Sequence, residues 1–283
     1  MGGLGMTVDV EDSGLARKGD SRDHTQAVPW SQAAPLKPVR GIGEFFALAL
    51  DILVAMFKPP LAWRELLDQA LFIARVSLLP ALMLSIPYVV ISVFELNVLI
   101  MEFGAADFSG TGAALAAVNQ IGPFVTVLVV AGAGASAMCA DLGARTIREE
   151  LDAMRVMGID PVQALLVPRV LAATVVALLL SSLVTLTGLT GGFFFAVFFQ
   201  HVAAGSYVAS MTLITGLWDV VVSMVKATLF GLTAGLIACY QGTSVTRGPA
   251  AVGNAVNETV VFSFVFLFVI NLVVTAIGFE LKK

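Results

Sequence analysis

The stretch TIREELDAMRVMGIDP (residues 146–161) is the one strongly polar segment between long apolar runs, and it predicts a short helix outside a membrane. Thr146 and Glu149 have the spacing of a capping box, in which each side chain accepts a hydrogen bond from a backbone N–H at the helix start. Gly158 can adopt the left-handed conformation that ends a helix, and Asp160-Pro161 is typical of the next helix start. We therefore predict a helix over 146–157.

This helix carries an apolar face, because Ile147, Leu151 and Met154 recur at helical spacing. Charged residues cover the rest of it: Arg148, Glu149, Glu150, Asp152 and Arg155. An exposed helix with an apolar stripe suits docking into a groove of a partner, and the pattern favours this interpretation. Two alternatives remain open: the charges are only solvated, or the apolar residues face the protein's own helices.

The chain around this helix has the composition of a polytopic membrane protein, with 58% hydrophobic and 13% charged residues in 283. Pro80 and Pro87 predict a kink or break in the first apolar run, and Ala131, Ala135 and Cys139 predict close helix packing in the second. The predicted fold class is all-α with five transmembrane helices. These lie near residues 66–94, 113–140, 162–199, 218–240 and 255–279.

Polar groups inside these runs raise functional hypotheses. Thr187–Gly192 is a candidate interruption of the third run. Asp219 and Lys226 lie in the fourth, and charges inside a membrane are candidates for function. Lys226 is near the end of its run, so a purely structural role, with its side chain extended outward, is an equal alternative. The cysteines, Cys139 and Cys239, sit in apolar surroundings and are typical of small buried hydrophobic residues.

The N-terminal part is divided into two segments. Residues 1–40 have no apolar periodicity and predict a disordered tail. Residues 42–57 are apolar apart from a narrow polar stripe, and as a helix they would reach only about 24 Å of the roughly 30 Å hydrocarbon core. We interpret the segment 41–64 as an interfacial helix that lies along the membrane. The alternative is a helix packed against the others.

The distribution of Lys and Arg predicts the orientation. Eight precede residue 76, four lie between Arg145 and Arg169, and Arg247 lies in the loop before the last apolar run, whereas the two other loops contain none. Cytoplasmic segments carry the excess of positive charge. The N-terminus and the helix 146–157 are therefore predicted to be cytoplasmic and the C-terminus outside, although Lys282 and Lys283 count weakly against this.

The sequence lacks the motifs of several kinds of site. It contains no phosphate-binding loop of the form GxxxxGK[ST], no HExxH motif and no paired cysteines at metal-ligand spacing. His24 and His201 lie in the tail and in an external loop. We expect no catalytic residue, metal or cofactor in this chain, and nothing in it indicates binding to nucleic acid.

Several motifs resemble the MlaE/YrbE permease family, the membrane subunits of MCE (mammalian cell entry) lipid ABC transporters. DLG (141–143), REELDAMRVMGIDP (148–161) and VPRVL (167–171) resemble its signature. Further segments fit at the same spacing: Gly122-Pro123, Val125-Thr126, Ala131-Gly132, Asp219 with Lys226, and the glycine-rich loop 242–253. The resemblance covers residues 42–280 and implies a permease domain over 65–283.

The resemblance implies a multi-pass permease of the bacterial inner membrane that pairs with a second permease. Its coupling helix, here 146–157, would sit in a groove of a separate ABC ATPase subunit, with Glu149, Glu150, Asp152 and Arg155 as polar contacts. MCE proteins would bind outside, and the cargo would be a fatty acid, sterol or phospholipid. A lipid pocket between the permeases would be lined by Ser92, Leu99, Phe103, Gln120 and Ile121. The long polar N-terminus is compatible with an actinobacterial or mycobacterial YrbE.

The chain departs from the family pattern at two places. It has Asn119-Gln120-Ile121-Gly122-Pro123 where members commonly read Arg-Glu-Leu-Gly-Pro, and Ala133 where they carry an arginine. We expect either a heterodimer whose other permease supplies these charges, or a different way of binding the head group.

Two other functions compete with a lipid permease. A secondary transporter would need ion sites at the membrane midplane and often has inverted repeats. The chain shows no evident repeat, and five helices do not divide evenly. A non-transporting membrane anchor would keep the docking helix but need no pocket.

Overall fold

The computed structural model describes residues 37–59, 62–104, 109–211, 216–246 and 248–281, and the regular structure in these ranges is helical. The contacts divide the chain into two units, and the unit Ile42–Lys283 carries the features discussed below. Of the predicted tail, residues 1–36 lie outside the described part, and residues 37–40 already belong to the first helix.

The described helices, in chain order, are α1 (Lys37–Ala55), α2 (Trp63–Glu102), α3 (Ser109–Leu115), α4 (Gly122–Val129), α5 (Ser136–Ile147), α6 (Glu150–Val156), α7 (Val167–Phe198), α8 (Ala204–Met211), α9 (Leu217–Thr243) and α10 (Pro249–Leu281). Wider π-helical turns lie between some of these helices. Ala116–Ile121 joins α3 to α4, Val130–Ala135 joins α4 to α5, and Val162–Leu166 leads into α7.

Five helices are long and apolar enough to cross a membrane, because α3, α4, α5 and their π turns run as one continuous helix. They are Trp63–Ile100, Gly110–Ile147, Val162–Phe198, Leu217–Thr243 and Pro249–Leu281. The five predicted spans are confirmed, and four of these helices extend beyond their apolar runs at both ends, whereas the third, Val162–Phe198, matches its run to within one residue. The second span is the most buried and the fifth the most exposed.

The centre of the bundle is built from small side chains of the second span. Ala131, Ala135 and Cys139 are fully buried there, as their four-residue spacing predicts. Helices gain little from the hydrophobic effect in lipid, so contact between backbones at small residues is a main source of their association. The outer helix α10 instead exposes Val265, Val269 and other large apolar residues, which suit a lipid environment.

Gly231 on α9 offers a direct test of this packing, since a Cβ there would lie 2.6 Å from the carbonyl oxygen of Ala173 and from Cα of Thr174 on α7. Backbone atoms cannot move aside easily, so Gly231→Ala is expected to destabilise the protein by about 1–3 kcal/mol in thermal unfolding. Gly191→Ala is the matched control, because a Cβ there meets nothing within 4 Å. Equal losses for both variants would contradict the close contact.

The long helices are more regular than the sequence predicts. α2 continues through Pro80 and Pro87 without a break. The candidate interruption at Thr187–Gly192 is wrong, because α7 runs through it. Gly188 and Gly192 instead allow α2 to approach closely, since a Cβ at either would lie 3.2 Å from a valine side chain of that helix.

Helix α1 packs against the bundle with one face and leaves the other exposed. The ring of Phe45 meets that of Tyr240 edge to face at 5.5 Å, and Ile52 is fully buried. The outer face is an apolar stripe of Ile42, Phe46, Leu50 and Val54. The alternative of a packed helix is therefore correct for the inner face, whereas the exposed stripe suits the membrane position that the sequence predicts.

Two hydrogen bonds identify the helix termini that meet near α6. Thr146 Oγ1 donates to the carbonyl of Gly242 at 3.0 Å, which joins the ends of α5 and α9. Gln163 Nε2 donates to the carbonyl of Lys58 at 3.2 Å, which joins the start of the third span to the turn after α1. We call this the α6 end of the bundle.

The opposite end is joined by Asn97 Nδ2, which donates to Gln200 Oε1 at 2.5 Å and links α2 to α7. The short helix α8 packs there against α3 through the buried residues Thr111 and Ser210. Burial raises the pKa of Tyr207 on α8 to about 12, so its hydroxyl stays protonated at neutral pH.

Candidate functional site

Helix α6 follows α5 after a two-residue turn, Arg148-Glu149. Glu149 is the one non-glycine residue near α6 with a left-handed backbone, at a φ of 60°. Its N–H donates to the carbonyl of Thr146 at 3.1 Å. A left-handed residue cannot continue a right-handed helix and costs about 1–2 kcal/mol. The turn therefore separates α6 from the spanning helix that precedes it.

The predicted start of the coupling helix at Thr146 is wrong. Thr146 still belongs to α5, and its hydroxyl donates to the carbonyls of Leu142 at 2.9 Å and Gly242 at 3.0 Å. Glu149 precedes α6 without a side-chain cap. The capping box does not form because Thr146 lies inside α5, and the N–H of Glu149 donates to the carbonyl of Thr146 rather than to its hydroxyl.

The predicted end of the helix is confirmed. Gly158 has a φ of 77°, and its N–H donates to Arg155 at 3.0 Å while the N–H of Ile159 donates to Met154 at 2.9 Å. These two bonds form a Schellman motif, which satisfies the last carbonyls of a helix. Asp160 then accepts a hydrogen bond from the N–H of Val162 at 3.0 Å and caps the next turn.

The apolar face of α6 points into the protein. Leu151 is 7% exposed and belongs to the core, and Ile147 and Met154 are half-buried. The residues accessible to a partner are instead Val156, Met157 and Ile159, which are 88%, 67% and 44% exposed. We call these three the apolar tip. These residues were not predicted from the sequence because they lie outside the apolar stripe of Ile147, Leu151 and Met154. A helix that ends at Gly158 nevertheless places them at its end.

Two ion pairs flank the apolar tip. Arg148 Nε lies 2.7 Å from Glu150 Oε1, and Arg155 Nη1 lies 3.0 Å from Asp152 Oδ1. All four side chains are substantially exposed. Exposed pairs are typically worth up to about 1 kcal/mol, so these groups can exchange partners at little cost.

An ion pair between a fully buried arginine and a partly exposed aspartate joins α7 to α5. Arg169 on α7 is 0% exposed and donates through Nη2 to Asp141 Oδ2 on α5. Its Nε and Nη1 have no hydrogen-bond partner among the described residues. In the sequence, Arg169 is one of four positive charges between residues 145 and 169 and belongs to the motif VPRVL, but no local pattern pairs it with a residue 28 positions earlier.

The first π turn contains Asn119 and Gln120, of which Gln120 is a residue of the expected pocket. The N–H of Gly122 donates to the carbonyl of Ala117, five residues back. Pro123 follows at once, and because proline has no N–H and its ring clashes with the carbonyl four residues back, a wider turn relieves the helix here. Such π turns are frequent at functional sites.

The residues expected to line the lipid pocket differ in accessibility. Leu99 on α2 and Phe103 just after it are exposed, Ser92 on α2 is half-buried, and Gln120 is exposed in the first π turn. Ile121 is 3% exposed and packs in the core. Four of the five residues are therefore accessible from outside the chain, and Ile121 is not.

The charged residues of α9 lie inside the protein. Lys226 is 2% exposed, so its side chain does not extend outward, and it lines a small cleft with Asp219 and Asn119. Asp219 Oδ2 also accepts a hydrogen bond from the N–H of Gly216 at 3.0 Å and caps α9. Among the described residues no group of three or more His, Cys, Asp or Glu could hold a metal ion.

Comparison with known proteins identifies the family. The model of the family Permease MlaE matches residues 66–277. The chain is 26% identical over 245 residues to a probable ABC transporter permease protein of Rickettsia typhi, which covers 87% of this chain and 95% of that protein. It is 27% identical over 258 residues to the chloroplastic protein TRIGALACTOSYLDIACYLGLYCEROL 1 of Arabidopsis thaliana (89% and 72%).

It is also 28% identical over 183 residues to the intermembrane phospholipid transport system permease protein MlaE of Haemophilus influenzae (64% of this chain and 70% of that protein). The family match includes part of every spanning helix and most of the chain. This protein therefore belongs to the MlaE permease family.

Proposed function

We propose that this protein is the permease subunit of an ATP-driven lipid transporter. Family membership and the named phospholipid transport role of the Haemophilus influenzae relative support a lipid cargo. Permeases of ABC transporters are not themselves enzymes, so ATP is hydrolysed by a separate subunit that docks on this chain.

The observation that carries the proposal is the apolar tip on a firmly held helix. Leu151 anchors α6 in the core, and the Schellman motif at Gly158 fixes its end. Fully burying a large apolar side chain such as Val156 or Met157 stabilises a complex by roughly 1.5–3 kcal/mol, so the tip favours a partner groove. A rigid element of this kind can transmit a rigid-body movement of the ATPase.

The coupling helix in this proposal is α6 with the residues that flank it. The exposed Asp152 and Arg155 of α6 are polar contacts to the ATPase, together with Arg148 and Glu149 of the turn and Glu150 at the start of α6. Ile147, Leu151 and Met154 hold the helix from inside. Docking and packing against the bundle are thus divided between two faces of one short helix.

The orientation follows from the positive charges. Arg145, Arg148 and Arg155 lie at the α6 end of the bundle, and we assign this end and the N-terminus to the cytoplasm of a bacterial inner membrane. The C-terminus then lies outside. This placement puts α6 where ATP is available.

The lipid pocket forms where this chain meets a second permease. Exposed Leu99 and Phe103 supply apolar surface, Ser92 and Gln120 supply uncharged polar groups, and Ile121 supports them from the core. Because Asn119 and Gln120 cannot neutralise a charged head group, we propose a heterodimer whose other permease carries the charges. A purified complex with two copies of this same chain would rule out the heterodimer.

The remaining partners are assigned by the resemblance to MCE systems. MCE proteins bind outside the membrane, and the cargo is a fatty acid, sterol or phospholipid. We assign the chain to the actinobacterial, YrbE-type branch on the basis of its long polar N-terminus.

Reconstitution of the complex in vesicles tests the function as a whole. Labelled phospholipid, fatty acid and sterol are followed in parallel with ATP, with ADP and with an ion gradient alone. The proposal requires movement of at least one of them that depends on ATP. Movement driven by the gradient alone would indicate a secondary transporter, and no movement under any condition would indicate an anchor.

The pocket is tested separately by Gln120→Trp, which places a bulky ring on the exposed first π turn. We expect crosslinking of a photoreactive lipid to fall by about tenfold, the effect of roughly 1.4 kcal/mol, while the complex still assembles. Val265→Trp, at an exposed position on α10, is the matched control and should leave crosslinking unchanged. Undiminished crosslinking in Gln120→Trp would remove this residue from the pocket.

A further inference from the structure

Asp141 lies between two arginines and begins a chain of charges that leads to α6. Its Oδ2 accepts hydrogen bonds from Arg169 Nη2 on α7 and from Arg145 Nε at 3.3 Å. Arg145 also reaches α6, because its Nη1 lies 3.8 Å from Glu150 Oε2. A chain of four charged residues therefore connects α7 to the first residue of α6. In order, they are the fully buried Arg169, Asp141, Arg145 and Glu150.

We infer that Arg145 is a positioning residue that carries movement of α6 to the spanning helices, an inference that rests on the proposed docking of an ATPase at α6. The left-handed residue Glu149 breaks the helix between α5 and α6, so a continuous helical rod cannot transmit the movement. Side-chain contacts must do so instead. α6 reaches the bundle through Leu151 and through this chain of charges.

The geometry explains why this position holds an arginine. Arg145 contacts two carboxylates with two different nitrogens, Nε toward Asp141 and Nη1 toward Glu150. A planar guanidinium presents donors in fixed directions and suits such a bridge, whereas the single ammonium of lysine acts as a point charge. The guanidinium of Arg145 is also held on its Nε side, because Asp141 is itself fixed by the buried Arg169.

Glu150 joins the chain of charges to a second arginine, Arg148. It lies 2.7 Å from Arg148 and 3.8 Å from Arg145, so the same carboxylate is shared by an outer and an inner arginine. A small displacement of α6 can shift Glu150 from one to the other. A shared group with two discrete partners is the kind of element that couples distant sites.

The test is Arg145→Gln in the complex with its ATPase, reconstituted in vesicles. This change cuts the link to Glu150 but leaves Arg169 paired with Asp141, so we expect unchanged assembly, unfolding temperature and ATP hydrolysis. Lipid moved per ATP hydrolysed should fall by about fivefold or more. Arg145→Lys keeps the positive charge but does not contact both carboxylates with separate nitrogens. Lipid moved per ATP hydrolysed should therefore remain below that of the wild type.

Controls separate positioning from a structural role. Glu150→Gln cuts the same link from α6 and should lower lipid moved per ATP at least as much, because Glu150 is also a proposed contact to the ATPase. Arg64→Gln removes an exposed arginine near the start of α2 and should leave the ratio unchanged. An unchanged ratio in Arg145→Gln overturns the inference, and so does a fall in assembly or unfolding temperature that accounts for the whole loss.

Different results would rule out the positioning role of Arg145 and the docking of an ATPase at α6. If variants of the apolar tip abolish transport while Arg145→Gln keeps the normal ratio, only the positioning role of Arg145 is wrong. If the tip variants also leave transport intact, the docking of an ATPase at α6 is wrong.

Discussion

Replacing Val156 and Met157 together by Asp is expected to abolish ATP-dependent lipid transfer. Both side chains are exposed in the isolated chain, at 88% and 67%, and a groove of the ATPase would bury them in the complex. The double change removes two apolar contacts of roughly 1.5–3 kcal/mol each and places two unpaired carboxylates in an apolar groove. Affinity for the ATPase subunit should fall by at least about 100-fold in a binding titration.

The chain itself should fold normally in this variant. Substitutions at exposed positions usually change the free energy of unfolding by about 0.5 kcal/mol or less. Val208→Asp on α8 is the matched control, because Val208 is a 55% exposed valine at the opposite end of the bundle. It should leave affinity for the ATPase unchanged. Wild-type affinity in the tip variant would contradict the docking surface.

Asp141→Asn is expected to cause the largest loss of stability. It leaves the guanidinium of Arg169, which is 0% exposed, without an anionic partner. Removing one member of a buried ion pair typically costs about 3–5 kcal/mol, because the other charge stays buried and uncompensated. Unfolding of the purified chain in detergent, followed by temperature or denaturant, measures this loss.

Two further variants identify the cause. Asp152→Asn removes the same kind of group from an exposed pair with Arg155 and should cost about 1 kcal/mol at most. Combining Asp141→Asn with Arg169→Leu also removes the buried positive charge and should restore much of the stability, as replacement of buried ion pairs by apolar residues often does. If Asp141→Asn costs no more than Asp152→Asn, the buried pair does not stabilise the fold.

Much of the fold could be predicted because lipid imposes one simple requirement on spanning segments. Each needs about 20 apolar residues, and the apolar runs around Ala131 and Val265 meet it without reference to other parts of the chain. The end of α6 was predictable for a similar reason. Gly158 and Asp160-Pro161 act through their own backbone, so their neighbours in sequence are sufficient to define the turn.

Features that depend on tertiary contacts could not be predicted in this way. Thr146 matches a capping pattern but lies inside α5, where its hydroxyl donates to the carbonyl of Gly242 on α9. Only the packed bundle supplies that acceptor. In the sequence, Arg169 is only one of several positive charges. Its pairing with Asp141 on α5 depends on the packing of the helices. The apolar tip was missed because the pattern favoured a partner for the stripe of Leu151, whereas the alternative left open, packing against the protein's own helices, is the one observed.

The most direct test of the account is a photoreactive amino acid at Met157 in the intact complex in its membrane. We propose that Met157 lies at the cytoplasmic end of the bundle and contacts the ATPase, so irradiation should crosslink this chain to the ATPase subunit. The same group at Val208 should not produce that product. Crosslinks from Met157 to lipid or to an external protein, without any to the ATPase, would contradict both the orientation and the docking site.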